Sequence, residues 1–196
     1  GDRLAIAPLK ALPPERQRNA LRRWLDIRGL PPPPESRLAT LLDQIEAPRD
    51  RMPRVAWAGG EVRRHGGFLH AFPSLPPRER APLSWDFRTP LVTSFGVLSA
   101  VPTHGEGLRA FDGVEVRWRE GGERLRLGGK TRSLKKLLQE KGLPPWERER
   151  LPLLYVKGEL AAVADLWVAD PFAPGQGEAG WLIRWQKKKG AEAPKS

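Results

Sequence analysis

The sequence predicts an α+β protein: a small helical domain ending in a β-meander, followed by a β-sandwich-like domain with one or two inserted helices. Three observations carry this. The apolar residues recur at helical spacing as far as about residue 48 and at strand spacing beyond Pro53. Glycine pairs punctuate the strand-like part as hairpin turns do. The one clear return to helical spacing falls inside a run of short strands, which argues for segregated rather than alternating elements.

Residues 13–29 contain ERQRNALRRWLDIRG, in which Leu21, Trp24 and Leu25 form one apolar stripe and Gly29 is a stop. Arg16, Asn19 and Arg23 share the opposite face. Pro31 to Pro34 form a stiff connector, because fixed φ angles and missing N–H donors rule out helix. Leu38, Leu41, Leu42 and Ile45 mark a second helix ending near Pro48, so the pair reads as a helical hairpin. VAWAGGEVRRHGGFLHAF then reads as strands turned at Gly59-Gly60 and Gly66-Gly67.

The proline-rich and charged residues 73–90 mark the boundary between domains, placed as 1–74 and 75–190. Trp85 and Phe87 alternate there like the inner face of a strand. Short strand candidates follow: LVTSFGVLSAVP, VEVRWRE, ERLRLGG, LPLLYV, ELAAVADLWVA and GWLIRWQ. Lys187, Lys188 and Lys189 lead into a polar tail, 191–196, expected to be disordered.

Between them lies the densest local pattern, residues 128–155. Thr131 or Ser133 can cap a helix whose Leu134, Leu137 and Leu138 make one apolar face. Gly142 can take the left-handed conformation that closes it, with Pro144 following. Arg132, Lys135, Lys136 and Gln139 fall on the side away from the leucines, a basic ridge. Pro145 and Trp146 begin a second short turn, and Leu153 to Tyr155 read as strand. Trp24, Trp57, Trp118 and Trp167 are expected in the core and Trp146 as a pin for the short turn.

The net charge is +11 over 196 residues, which favours a polyanionic partner. Cysteine is absent, excluding disulfides and thiolate metal sites and fitting a reducing compartment. With no apolar run near 18 residues and no signal peptide, the chain reads as soluble and cytoplasmic, with no membrane partner. It opens on Gly1 and enters apolar sequence at once, so a piece of a longer protein is expected.

Apparent catalytic signals fail on inspection. Gly129-Lys130-Thr131 imitates the end of a phosphate-binding P-loop, but the required first glycine is Arg124. His65 and His70 have a zinc-finger spacing without the cysteine pair. Neither a nucleophile elbow nor a Ser, His and Asp set can be nominated.

The run from Arg126 to Gly129, then SLKKLLQEKGLPPWERERLPLLY and GELAAVADLWV, closely resembles the C-terminal domain of the tRNA(Ile)-lysidine synthases. RRWL, a second helix, a Val-x-Trp-x-Gly strand pair and an Arg-Arg are similar to the substrate-binding domain that precedes it in that family. The resemblance implies a sandwich-like sheet with helices that grips the acceptor region of isoleucine tRNA bearing a CAU anticodon. It also implies a missing N-terminal catalytic domain, whose SGG-x-D-S loop binds ATP with Mg, adenylates the wobble cytidine and lets lysine displace AMP. Nothing in this sequence matches that loop. No cofactor is therefore expected on the chain itself, which should be inactive alone.

The residues nominated for tRNA contact are Arg126, Lys130, Arg132, Lys135, Lys136, Arg148 and Arg150, with Arg16 and Arg23 in the helical domain. Between Arg109 and Lys157 there are thirteen Lys or Arg against seven Asp or Glu. A charged helix face is also what plain solvation produces. Three classes stay open: the tRNA-binding part of a ligase, a free-standing nucleic-acid module, and a protein-interaction domain with incidental charge. The second would bind duplex or single strands as well as tRNA, and the third would bind tRNA poorly even at low salt.

Overall fold

The computed structural model describes residues 3–46, 54–74 and 81–188. Residues 75–80 of the expected boundary, and the whole of the expected tail, lie outside the described residues. Residues 3–46 and 54–74 build one compact unit and residues 81–188 a second.

In the first unit β1 (Arg3–Ala5) and the short helix α1 (Ile6–Lys10) precede the two helices read from sequence, α2 (Pro14–Ile27) and α3 (Glu35–Glu46). Strands β2 (Arg54–Trp57), β3 (Gly60–His65) and β4 (Phe68–Phe72) follow. The sheet is antiparallel in the order β1-β4-β3-β2, so the expected meander gains a fourth strand. Three residues are too few to show a period, and only pairing with β4 defines β1.

The core is the stripe the spacing specified: Leu21, Trp24 and Leu25 of α2, and Leu38, Leu41 and Ile45 of α3. They pack with Val55, Trp57, Val62, Leu69 and Ala71 of the sheet. The proline connector is tied to the sheet by the Trp57 indole, whose Nε1 donates to the Pro31 carbonyl at 2.9 Å. The first hairpin turns on Ala58 and Gly59 rather than on Gly59-Gly60. Gly60 belongs to β3, where a Cβ would lie 2.3 Å from the Trp57 ring.

Side chains of β3 alternate between the two faces. Val62 and Arg64 face the helices, and the buried Arg64 donates from Nη1 to the Gln44 carbonyl at 3.1 Å. That carbonyl lies in the last turn of α3, where carbonyls have no partner within the helix. Glu61 and Arg63 face the other way. Glu61 is fully buried, receiving Arg54 at 3.0 Å and the Arg63 guanidinium in close contact. The small Ala56 stands opposite Glu61 in register, and Phe72 flanks it on β4.

The second unit begins with β5 (Leu83–Trp85), β6 (Leu91–Val92), β7 (Gly96–His104), β8 (Leu108–Arg109) and β9 (Val114–Trp118). Next come β10 (Arg124–Leu127), β11 (Lys130–Ser133), α4 (Leu134–Glu140) and α5 (Pro145–Arg148). It ends with β12 (Pro152–Val156), β13 (Glu159–Val163), β14 (Trp167–Val168), a 3₁₀ turn (Asp170–Phe172) and β15 (Ala179–Lys187). One sheet has the order β14-β13-β12-β9-β5 and another β6-β7-β15-β8, while β10 and β11 form a ribbon of their own.

The two larger sheets share a core in which Leu98, Leu108 and Ile183 of one meet Val114, Val116, Leu154 and Val156 of the other. This is the expected sandwich. On β12 the alternation sends Leu153 to the opposite face, where it joins Leu134, Leu137, Leu138, Leu125 and Val163 in a second core. Helix α4 and the ribbon therefore back the five-stranded sheet. Trp85 and Phe87 are both buried, but not by strand alternation. Strand β5 stops at Trp85, and Phe87 enters the core from a turn with φ 66°, stacked on Trp181 at 5.5 Å. Trp24, Trp57, Trp118 and Trp146 are buried as expected. Trp167 is only half-buried, because β14 is a two-residue strand at the sheet edge.

Candidate nucleic-acid interface

The ribbon is turned by Gly128 and Gly129, both at positive φ (57° and 75°), the conformation a two-residue hairpin turn requires. Register pairs Arg124 with Ser133, Leu125 with Arg132, Arg126 with Thr131 and Leu127 with Lys130. Directly paired residues share a face. Arg124, Arg126 and Thr131 thus lie on one face, while Lys130 and Arg132 share the other with the buried Leu125.

Arg132 is accordingly on a strand, not on the helix ridge where helical spacing would put it. The glycine turn folds residues 124–133 into a hairpin before the helix begins, and α4 starts at Leu134. Ser133 occupies the cap position but makes no side-chain cap bond. Instead the Leu134 amide donates to the Glu123 carbonyl at 3.0 Å, across the base of the ribbon. The helix stop is as read: Gly142 has φ 74° and the Leu143 amide returns to the Leu138 carbonyl.

From its strand Arg132 reaches the end of α4 and binds both oxygens of Glu140, at 3.0 and 2.7 Å. That charge is compensated. Lys135 and Lys136 are exposed on α4, and Arg126 and Lys130 on the ribbon. Among the described residues these four make no ion pair, nor do Arg124 and Lys141. Arg124 and Lys141 thus join the exposed cations nominated from sequence. The alternation R-L-R-L at 124–127 was the available signal for Arg124, since period 2 sets it on the face of Arg126. Lys141 follows the last turn of α4, where cations favour the helix dipole.

The other nominated residues are differently placed. Arg148 is half-buried and its Nε donates to the Leu143 carbonyl; burial, with Arg119 nearby, holds its guanidinium below the ordinary value. Arg150 is half-buried, with its guanidinium 5.1 Å from the centre of the Phe95 ring. In the first unit Arg16 is exposed on α2, and Arg23 is exposed but paired with Asp26 at 2.8 Å. Two further arginines of that helix, Arg18 and Arg22, converge on Glu35 at 3.0 and 2.6 Å.

On the ribbon-side face of the five-stranded sheet, Arg117 is paired with Glu115 at 2.6 Å and lies 4.6 Å above the Tyr155 ring. The hydrogen bond from Arg117 lowers the Glu115 pKa and raises that of Arg117, while burial raises that of Tyr155. An open cleft of about 690 Å³ is lined by Asp86, Asp112 and Glu115 with Lys157. Three carboxylates suit it poorly for phosphate.

The P-loop imitation is resolved by geometry. Gly128 and Gly129 donate their amides to the two oxygens of Asp170, at 3.1 and 2.7 Å, so the N–H groups that could cradle a phosphate already hold a carboxylate. His65 and His70 have ring centroids 6.4 Å apart. Among the described residues no group of three or more metal-ligand side chains occurs, and no helix is long and apolar enough to cross a membrane.

Two family models match the chain in tandem: a TilS substrate binding domain over residues 4–70 and a TilS substrate C-terminal domain over residues 114–185. Among curated relatives, the tRNA(Ile)-lysidine synthase of Alkalilimnicola ehrlichii is 40% identical over 186 residues, covering 90% of this chain and 42% of that protein. Those of Coxiella burnetii (36% identical, 95% and 43% covered) and Methylococcus capsulatus (35%, 93% and 44%) are similar. The chain therefore spans somewhat under half the length of these relatives. With one model on each compact unit, in the order the sequence motifs set, the chain belongs to the tRNA(Ile)-lysidine synthase family and carries its substrate-binding and C-terminal domains.

Proposed function

We propose that this chain is the tRNA-holding portion of an enzyme that uses ATP to attach lysine to the wobble cytidine of isoleucine tRNA with a CAU anticodon, in the cytoplasm. The observation that carries the reading is the set of exposed cations without an ion pair, Arg124 and Arg126 on one face of the ribbon, Lys130 on the other, and Lys135, Lys136 and Lys141 on or just after α4, all carried by elements anchored in one leucine core. Neutralising phosphates gives affinity and register without sequence information. The deep groove of A-form RNA is closed to side chains, so such a surface reads backbone, 2′-hydroxyls and helix ends. Residues 1–74 serve in this reading as the substrate-binding domain, with Arg16 a further contact, and residues 75–190 as the C-terminal domain. ATP and Mg belong to a catalytic domain outside this chain.

The test is tRNA affinity across a salt series for wild type and a Lys130→Ala, Lys135→Ala, Lys136→Ala variant. If all three contact phosphate, the slope of log affinity against log salt should fall by about 2 to 3, since each neutralised phosphate contributes close to 0.9 on a duplex. Stability should change by no more than about 0.5 kcal/mol per site, because all three side chains are exposed. Arg132→Ala should move the slope less, Glu140 having already neutralised that charge. An unchanged slope in the folded triple variant would remove these lysines from the interface. The chain alone is expected to form no lysidine, and tRNA-dependent release of AMP by the purified chain would sink that expectation.

A further inference from the structure

The geometry points to Asp170 as a positioning residue for tRNA contact, holding the basic ribbon at its working angle; this rests on the function proposed above. The ribbon pairs with neither of the larger sheets. At its base it is fixed by the buried Leu125 and by the Leu134 amide on the Glu123 carbonyl. At its tip the polar anchor is the Asp170 carboxylate, one oxygen on each glycine amide.

Asp170 is itself on a rigid mount. The Ala169 amide donates to the Ala161 carbonyl of β13 at 2.8 Å, and the Phe172 ring packs into the core beside Phe111. The Arg109 guanidinium holds the carbonyls of Pro171 and Ala173 at 3.0 and 3.3 Å. The carboxylate therefore transmits the position of the five-stranded sheet to the turn that precedes Lys130. A freed tip would have to be ordered again when RNA binds, and that ordering opposes affinity.

Removing a negative charge beside a phosphate-binding surface tightens nucleic-acid binding on electrostatic grounds alone. Asp170→Ala is expected to weaken affinity for isoleucine tRNA by about three- to tenfold, the scale of re-ordering a turn and its side chains. Asp170→Asn loses the same charge but keeps an oxygen able to accept one of the two amides. It should bind better than Asp170→Ala. Amide hydrogen exchange at Gly128 and Gly129 should accelerate in Asp170→Ala while that of the core strand residue Leu154 does not.

If both variants match or exceed a tRNA-binding wild type, Asp170 is not a positioning residue. Unchanged exchange at the two glycines overturns the anchor itself. A wild type that fails to bind tRNA would overturn the proposed function instead, and the exchange measurement would still decide whether Asp170 holds the turn.

Discussion

Leu138→Ala is expected to lower stability by about 2 to 5 kcal/mol, the range for a fully buried leucine truncated in a close-packed core. Leu138 is completely enclosed, in one cluster with Leu134 and Leu137 from its own helix, Leu125 from the ribbon, and Leu153 and Val163 from the five-stranded sheet. The helix is only seven residues long, too short to be stable without its apolar face packed. The cavity would therefore open at the joint between helix, ribbon and sheet. For a chain of this length each kcal/mol shifts the melting temperature by roughly 2 to 4 °C. Differential scanning calorimetry with a denaturant series checks it. A change below about 1 kcal/mol would mean the site is not packed as described. Since α4 carries Lys135 and Lys136, tRNA affinity should fall in this variant too.

The second large effect is expected at Glu61. Its carboxylate is fully buried and meets two guanidiniums, that of Arg54, which is mostly exposed, and that of Arg63, which is mostly buried. Deleting one member of a buried ion pair costs about 3 to 5 kcal/mol when the partner is left enclosed. Because Arg54 can turn to water, Glu61→Ala is expected at the lower end of that range or below it, about 2 to 4 kcal/mol. Glu61→Gln keeps the shape and one acceptor oxygen. It should cost less, about 1 to 3 kcal/mol, the worth of hydrogen bonds to charged groups. Equilibrium unfolding of the two variants tests the order. Equal losses would mean that volume rather than charge holds Glu61 in place.

What was legible in the sequence was whatever repeats over enough residues to show a period. The stripes Leu21-Trp24-Leu25 and Leu134-Leu137-Leu138 specify both the helices and the faces they bury. The sandwich strands could be placed because glycine turns separate them. Strands β1 and β8 escaped notice, having three and two residues and no identity apart from their partners. Helical spacing extrapolated backward through Ser133 puts Arg132 on the helix ridge, whereas the glycine turn commits that segment to a strand. Its ion pair with Glu140 spans a strand-to-helix junction, which neither period describes. The Asp170 anchor is invisible for a plainer reason. Its partners are about forty residues earlier, and no local pattern links a 3₁₀ turn to a distant hairpin. Arg148 and Arg150 show the converse limit, since composition counts a guanidinium as surface charge whether it faces water or a carbonyl and a ring.

The pairing of β15 with β7 also sets a timetable for synthesis. Nine consecutive register pairs join them, from Gly96 with Lys187 to His104 with Ala179, and β15 separates β7 from β8 within its sheet. Chains fold as they leave the ribosome, earlier segments first. Until residues 179–187 emerge, β7 and β8 have no central strand between them, and Leu154 and Val156 face a layer not yet assembled. Closing so long a loop is the slow part of forming non-local sheets. The nascent second unit thus carries an open apolar face for most of its translation, and its last nine-residue strand is the one that seals it.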